Sequence, residues 1–281
     1  MREITQQESS LKYLNPLNAF WTTWKGRELL IQLVRRNIEI RYKGTMMGFI
    51  WMLVTPLVML AVYTFVFGVV FKARWGMGIG DSKAAFALIM FCGMAVFNIF
   101  SESVNGSVGI VVGKPNYVKK VVFPLEILPV SSVLSACFLG LIWIGILLLG
   151  IILFFHKFCL AAVCFPLILI PLILFSCGFA WFVASLGVFV RDLAHLIGII
   201  LQVLYFMTPI FYSVEMVPEP VRSILFLNPL TLIVQSARQV LIYNQWPDWY
   251  GLSLVTLLSM AVFQMGYFWF MKTKRGFADV L

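Results

Sequence analysis

The side chains best suited to binding a phosphate group lie directly before the first long apolar segment of the sequence. Arg41 and Lys43 precede Met46 to Phe71, a run of twenty-six residues without a charge. Fixed positive charge beside an apolar segment attracts the anionic headgroups found at a membrane surface. Arg41 and Lys43 are therefore candidates for contacting the phosphate groups of a lipid.

Residues with catalytic or metal-binding chemistry are scattered. The five cysteines lie in or beside apolar stretches, without a C-x-x-C pair and without a histidine or carboxylate at ligand spacing. His156 and His195 occupy breaks between apolar runs. The acidic residues expected on the outer side have no histidine partner of the kind that acid or base catalysis needs. They are Asp81, Glu215, Glu219 and Asp248. We predict no metal site and no catalytic residue.

The sequence also lacks a site for ATP. A P-loop would show two glycines separated by four residues and followed by Lys and Ser or Thr, and this pattern does not occur. We therefore expect no cofactor on this chain. Any process driven by ATP needs a second polypeptide that holds ATP and Mg²⁺.

Composition identifies an integral membrane protein. The 281 residues are 61% hydrophobic with a mean hydropathy of +0.95, too apolar for a soluble core of this size. The first 45 residues carry eight Lys or Arg and show no signal peptide, so the first span itself is expected to direct insertion. The net charge of +9 collects beside apolar spans rather than in one stripe with aromatics, which argues against a nucleic-acid partner.

Hydropathy predicts an all-α fold with six transmembrane helices. The fourth is interrupted by Pro166 and Pro171, which either kink it or divide off an interfacial segment, and we keep it as one span. Basic residues number 15 on one side and 6 on the other, which predicts both termini in the cytoplasm. The expected spans are Met46 to Phe71, Ala84 to Val104, Glu126 to Phe155, Ala161 to Val190, Ala194 to Tyr212 and Tyr250 to Met271.

These spans divide the chain into a cytoplasmic segment 1–45, a transmembrane domain 46–271 and a cytoplasmic tail 272–281. Before the first span, Trp24 to Lys43 has the pattern of an amphipathic helix lying along the inner membrane surface. Leu30, Ile31, Val34 and Ile38 form its apolar face, and Arg35, Arg36 and Glu39 belong to its polar face. This helix is either a basic anchor that sets topology or, in addition, a docking surface for a cytoplasmic partner.

The amino-acid patterns of two loops favour local secondary structure over a flexible linker. Between spans two and three, valines and Tyr117 interleave with Lys114, Lys119 and Lys120, which favours either an ordinary basic loop or a short amphipathic element. Between spans five and six, Asn228 as N-cap and Pro229 at the first helical position predict the second of two short external helices that dip into the interface.

The ordered motifs resemble those of the ABC-2 type permease subunit of polysaccharide ABC exporters. They cover about residues 24 to 275, and the first-span motif is most similar to the O-antigen and teichoic acid branch. The motifs are Arg41-Tyr-Lys-Gly-Thr-Met-Met-Gly-Phe-Ile-Trp51 with Pro56 and Tyr63-Thr-Phe-Val-Phe-Gly68, then Tyr117-Val-Lys-Lys-Val-Val-Phe-Pro124, and Asn228-Pro-Leu-Thr231. Met46-Met47 and Thr231 depart from that pattern, which weakens any inference about the substrate.

The resemblance implies a channel in the bacterial inner membrane, formed by a homodimer of six-span subunits and driven by two copies of an ABC ATPase subunit. It implies a lipid-linked polysaccharide as substrate and a coupling element that transmits closure of the ATPases. In this sequence the coupling element would comprise Lys114, Tyr117, Val118, Lys119, Lys120 and Phe123. An ABC-2 permease for teichoic acid, a drug or a lipid remains an alternative, and a membrane-embedded glycan polymerase or acyltransferase is a further one.

Aromatic residues are candidates for lining the channel. Sugar rings present C–H faces that stack on aromatic faces, and a glycan channel would use such contacts repeatedly. Tyr63, Phe67 and Phe71 share one face of span one, and Tyr205 and Tyr212 share one face of span five. The alternative is that these rings pack internally, or contact lipid with the tyrosines at the interface. Glu102 and Glu126, near the cytoplasmic ends of their spans, are expected to snorkel.

Overall fold

The computed structural model describes residues 16–70, 83–119, 123–156 and 159–281, and this part of the chain is helical without strands. The α-helices are α1 (Pro16–Lys25), α2 (Arg27–Tyr42), α3 (Trp51–Tyr63), α4 (Lys83–Asn105), α5 (Pro115–Lys119), α6 (Ile127–Phe155), α7 (Phe165–Phe189), α8 (Leu193–Met207), α9 (Glu219–Phe226), α10 (Pro229–Leu241), α11 (Trp249–Thr273) and α12 (Phe277–Val280).

The segment predicted as an N-terminal interface helix is helical, but its bounds and its buried face differ from the prediction, and its place at the membrane surface stays a prediction. α1 ends at Lys25, and α2 begins at Arg27 after a break at Gly26, where a Cβ atom would overlap Ile127 of α6. α2 packs on α6 through Leu30 and Leu33, whereas Ile31 is exposed. α2 therefore turns the side of the helix that carries Leu30 and Leu33 toward the bundle, where α6 covers it.

Five helical segments are long and apolar enough to span a membrane. The first runs from Gly48 to Val70, and its last seven residues, Thr64–Val70, form a π-helix. The fourth, Leu160 to Phe189, is one span as predicted, although Pro171 lies inside it. The other three are Ala84–Asn105, Ile127–Phe155 and Trp249–Val280.

The fifth predicted span is shorter than expected, since α8 ends at Met207 and not at Tyr212. Fifteen residues of helix reach only about 22 Å. The helix nevertheless crosses the bundle. Phe189, at the end of α7, lies against Gly276, while the carbonyls of Pro209 and Ile210 bind Arg238 beside the first half of α4. α8 thus connects the two ends of the bundle, and its place as a sixth crossing stays a prediction.

α7 and α11 run side by side in the same direction and approach at two glycines. A Cβ atom at Gly178 would lie 2.5 Å from the carbonyl oxygen of Val262, and one at Gly266 would overlap the backbone of Gly178. Small residues at such crossings let helix backbones meet. At the end of this pair, Lys274 binds the buried Glu126 at 2.6 Å, and Trp181 donates to the Glu126 carbonyl at 2.9 Å. Glu126 is therefore ion-paired inside the bundle. The prediction that its carboxylate snorkels toward the interface is wrong.

The two short helices between spans five and six are present and meet at 92°. Asn228 caps α10 by accepting from the Leu230 amide at 3.1 Å, and Pro229 occupies the first turn, as predicted. α10 does not lie at a solvent interface, however. Both its apolar side and Arg238, which is 4% exposed, are buried against α4, α7 and α11. Arg238 is buried although its helical spacing suits a solvent-facing residue, because neighbouring carbonyls accept hydrogen bonds from its guanidinium.

Candidate functional site

A cavity of about 670 Å³ lies between α3, α4 and α8. It extends from Arg41 and Glu102 at one end of the bundle to Tyr63 and Tyr205 deeper in the spans. Its lining mixes aromatic, amide and hydroxyl side chains with methionines. They include Trp51, Thr55, Met59, Met94, Asn98, Ser101, Asn105, Trp143 and Gln202.

A polar stripe on α4 supplies much of this lining. Asn98, Ser101, Glu102 and Asn105 repeat at helical spacing, so all four lie on one face of a largely apolar helix. Polar groups inside a membrane span are costly unless they face a cavity or a partner. This stripe was missed from the sequence, although its spacing within span two was a usable signal. The face can donate and accept hydrogen bonds along the length of the cavity.

Aromatic rings close the deeper end of the cavity. Phe211 packs against Tyr63 at 5.6 Å, Phe67 at 5.0 Å and Tyr205 at 5.1 Å between ring centroids. Tyr205 also contacts Phe97 of α4 at 5.0 Å. The cluster ties span one to α8 and to the turn that follows α8.

The five predicted channel aromatics are therefore placed differently from one another. Tyr63 and Tyr205 line the cavity, whereas Phe67 supports the cluster from behind. Tyr212 stands apart and donates from its hydroxyl to the Phe206 carbonyl at 3.1 Å. Phe71 lies outside the described residues. Which rings contact a substrate stays a prediction.

The mouth of the cavity is held by an ion pair. Two guanidinium nitrogens of Arg41 bind the two carboxylate oxygens of Glu102 at 2.7 and 2.8 Å. This hydrogen bond raises the pKa of Arg41 against the opposing effect of partial burial. Arg41 was predicted to contact lipid phosphate, but in this conformation the carboxylate of Glu102 balances its positive charge. Lys43 is exposed. Glu102 has a specific cationic partner, and its side chain is 34% exposed, so its snorkelling to the interface stays a prediction.

The predicted coupling element forms a short helix, α5, with a folded base. Tyr117 stacks on Phe123 at 4.4 Å, and both rings and Val118 are half-buried against the core. Lys114 is half-buried as well, and burial together with the charge of Arg36 lowers its pKa. The side chain of Lys119 and the whole of Lys120 lie outside the described part. In the described part of this segment and the turn before it, the exposed residues are Val112, Gly113, Pro115 and Asn116.

On the interface helix, Arg35 binds Glu39 at 2.7 Å on the exposed side, as their spacing predicts. Such a pair contributes only a few tenths of a kcal/mol, so it indicates solvation rather than a site. Arg36 is exposed too. Cys92, Cys137, Cys164 and Cys177 are buried among apolar side chains. Within the described ranges no group of acidic, histidine and cysteine side chains is arranged to hold a metal ion.

Sequence reasoning also missed the role of Arg238. Its guanidinium donates to the carbonyls of Ile89 at 3.1 Å, Pro209 at 2.6 Å and Ile210 at 3.0 Å. Asn228 adds a bond to Thr208 at 3.0 Å. Together these bonds fasten α10 to α4 and to the turn after α8. No sequence signal marks this arrangement, because Arg238 has the same spacing as a solvent-facing residue.

Five apolar helices long enough to span a membrane, a shorter apolar helix and a cavity lined by polar side chains within the bundle fit the membrane subunit of a transporter. The family model for "ABC-2 type transporter" matches residues 28–242, so the chain belongs to that family.

Curated relatives match along nearly their whole length. The chain is 26% identical over 258 residues to the O-antigen export system permease protein RfbA of Myxococcus xanthus, covering 91% of this chain and 96% of that protein. It is 25% identical over 259 residues to the protein of the same name from Klebsiella pneumoniae, covering 90% of this chain and 95% of the relative.

Proposed function

We propose that this chain is the membrane subunit of an ATP-driven exporter that moves a lipid-linked polysaccharide of O-antigen type across the bacterial inner membrane. The observation that carries the proposal is the cavity between α3, α4 and α8. Its polar stripe offers hydrogen bonds to hydroxyl groups, and its aromatic rings offer flat faces for sugar rings. The names of the two relatives agree with this substrate class.

Two copies of the chain form the channel in this proposal. α3 is the least buried of the five long spans, and α4 is the most buried. The cavity therefore lies behind a peripheral helix, and a second copy placed against α3 would enclose it. Two ATPase subunits, which bind ATP and Mg²⁺, dock on the cytoplasmic side that carries α2, α5 and both termini.

Deletion of the gene, followed by complementation, tests the function. Without the chain, surface polysaccharide is lost while full-length lipid-linked glycan accumulates inside the cell, because synthesis precedes export. Glycan of reduced length would indicate a polymerase instead. Normal surface glycan together with lost efflux of a drug or lipid would indicate the other type of ABC-2 substrate.

A further inference from the structure

The C-terminal segment, residues 273–281, is fastened to other helices by polar contacts at its start. The hydroxyl groups of Thr273 and Ser185 lie 2.6 Å apart, which joins the end of α11 to α7. Nζ of Lys274 lies 2.6 Å from a carboxylate oxygen of Glu126, the residue before α6. A hydrogen bond and an ion pair thus hold the first two residues of the segment against two other helices.

An aromatic contact fastens the same segment further along. Phe277 of α12 is fully buried, and its ring centroid lies 5.5 Å from that of Phe270 on α11 and 6.0 Å from that of Phe189 at the end of α7. Aromatic pairs at such distances are favourable beyond the area that they bury. A helix as short as α12 is unstable without tertiary packing, so Phe277 is the residue that anchors it.

α12 also packs against α5, the predicted coupling element, although the two helices are distant in the chain. The base of that element is the stack of Tyr117 on Phe123, and the chain continues from Phe123 to Glu126, which Lys274 binds. The C-terminal segment therefore contacts the loop between spans two and three at two places, on α5 and at the start of α6.

Glu126 is held by its backbone as well as by its side chain. Its carboxylate is 7% exposed and paired with Lys274, and its carbonyl accepts from Nε1 of Trp181 on α7 at 2.9 Å. Removing one partner of a buried ion pair leaves the other charge without compensation, so this corner resists rearrangement. The end of the loop is thereby tied to α7 and α11 at the same point.

We infer that Lys274 and Phe277 are positioning residues for the coupling element. They hold α5 and the start of α6 against the ends of α7 and α11, so that a force on α5 displaces these helices together. Densely packed interiors transmit such displacements because they are hard to compress. The inference rests on the proposed function only for the source of the force, which is closure of the ATPase subunits.

The positioning is measured on the purified full chain. Val118 on α5 is half-buried, so Val118→Cys, in a background without the five native cysteines, reports local opening through its rate of reaction with a thiol reagent. Phe277→Ala should speed this reaction about tenfold or more, because a buried ring is lost. Lys274→Gln should speed it as well, whereas Lys274→Arg keeps the ion pair and the slow rate.

Two exposed positions supply matched controls. Lys272→Gln removes a cation from the end of α11, and Val280→Ala shortens an apolar side chain on α12. Both should keep the wild-type rate at Val118→Cys. If each control accelerates the reaction as much as the variant that it matches, Lys274 and Phe277 have no specific role and the inference is rejected.

A second reporter separates a local effect from general loosening of the fold. Gln239→Cys lies half-buried on α10, close to the Asp248 amide at the start of α11 and therefore far from the C-terminal segment. Its rate should stay unchanged in the Phe277 and Lys274 variants. Equal acceleration of both reporters would overturn the inference, and a wild-type rate at Val118→Cys in either variant would overturn the role of that residue.

The consequence for transport is tested in the complex with the ATPase subunits. Phe277→Ala and Lys274→Gln should leave the complex assembled and able to hydrolyse ATP. Surface polysaccharide per assembled complex should fall about tenfold, which lies in the usual range of coupling between two sites. Lys274→Arg should restore export. Loss of export only in proportion to loss of the complex would mean that the two residues maintain the fold and transmit nothing.

The inference and the proposed function can fail separately. If the deletion strain keeps its surface glycan, the proposed function is wrong, and the reaction rates of Val118→Cys still decide whether the C-terminal segment positions α5. If those rates change as expected but both variants export at the wild-type level, the segment holds α5 without transmitting force, and the coupling role is rejected.

Discussion

Gly93 leaves the space that the guanidinium of Arg238 occupies, since a Cβ atom at residue 93 would lie 2.7 Å from Nη2 of Arg238. Gly93 belongs to α4 and Arg238 to the re-entrant helix α10. The absence of one side chain therefore permits a buried cation to reach three carbonyl oxygens on two other segments.

Gly93→Ala is expected to displace Arg238 from these carbonyls. The methyl group reaches the end of a side chain that its hydrogen bonds hold in place, and each buried group left unsatisfied costs about 1–3 kcal/mol. Hydrogen exchange should show faster exchange in α10 and in the turn at residues 208–213. Gly145→Ala is the control, because no atom lies within 4 Å of its added Cβ. Equal exchange in both variants would contradict the prediction.

Arg238→Leu should loosen the same segments by removing the donor itself. Three carbonyls lose their bonds to it, so we expect a loss of about 3 kcal/mol, visible as a lower midpoint of thermal unfolding in detergent. Gln235→Leu on the same helix is half-buried and serves as the control. If Arg238→Leu unfolds at the wild-type temperature, the three bonds do not stabilise α10 and the turn that follows α8.

Tyr117→Asp with Val118→Asp is expected to release the ATPase, but these side chains also support the local fold. The sharper variant is Val112→Asp with Asn116→Asp, because both positions are exposed. Burying unpaired carboxylates in an interface should cost about 2 kcal/mol or more, roughly a thirtyfold loss of affinity. Co-purification of the ATPase is the measurement.

Val221→Asp, on exposed α9 at the opposite end of the bundle, is the control for that experiment. It should leave the complex intact. If all three variants recover the same amount of ATPase with normal ATP hydrolysis, α5 and its flanking turn do not form the docking surface.

Cysteines at Ser223 and Gln239, in a background without the five native ones, test the orientation. Ser223 is exposed on α9, so it should react quickly with an impermeant thiol reagent added outside. Gln239 is half-buried on α10 and should react more slowly. Reaction only after the inner face is opened would reverse the topology.

Replacing Tyr63, Phe67 and Phe71 together with Leu should reduce surface polysaccharide per assembled complex, because sugar rings lose flat partners. In this structure Tyr63 faces the cavity directly, so Tyr63→Leu with Tyr205→Leu is the more specific pair. Phe65→Leu, on the exposed side of the same span, is the matched control. Wild-type export by the Tyr63→Leu, Tyr205→Leu variant would contradict the prediction and would mean that both rings only pack inside the bundle.

Much of the architecture was predictable from local chemistry. The charge-free segment that ends before Lys72 predicted the first span, and Asn228-Pro229 predicted the start of α10. Both predictions were possible because hydropathy and helix capping depend on neighbouring residues only. The Arg35–Glu39 pair followed from helical spacing for the same reason. The end of α8 at Met207 was missed, since Thr208 to Tyr212 are as compatible with a span as with the turn that Arg238 stabilises.

The sequence by itself determined that this chain is a helical membrane protein with several apolar spans and an ABC-2 pattern, and it predicted an interface helix and six crossings. It could not show that Arg41 faces Glu102 across 61 positions, that Arg238 reaches α4, or that four polar residues of span two meet Tyr63 and Gln202 around one cavity. Hydropathy measures how strongly a segment prefers an apolar environment to water. Only packing decides whether a polar face meets lipid, a partner or a cavity, because that depends on helices distant in the chain.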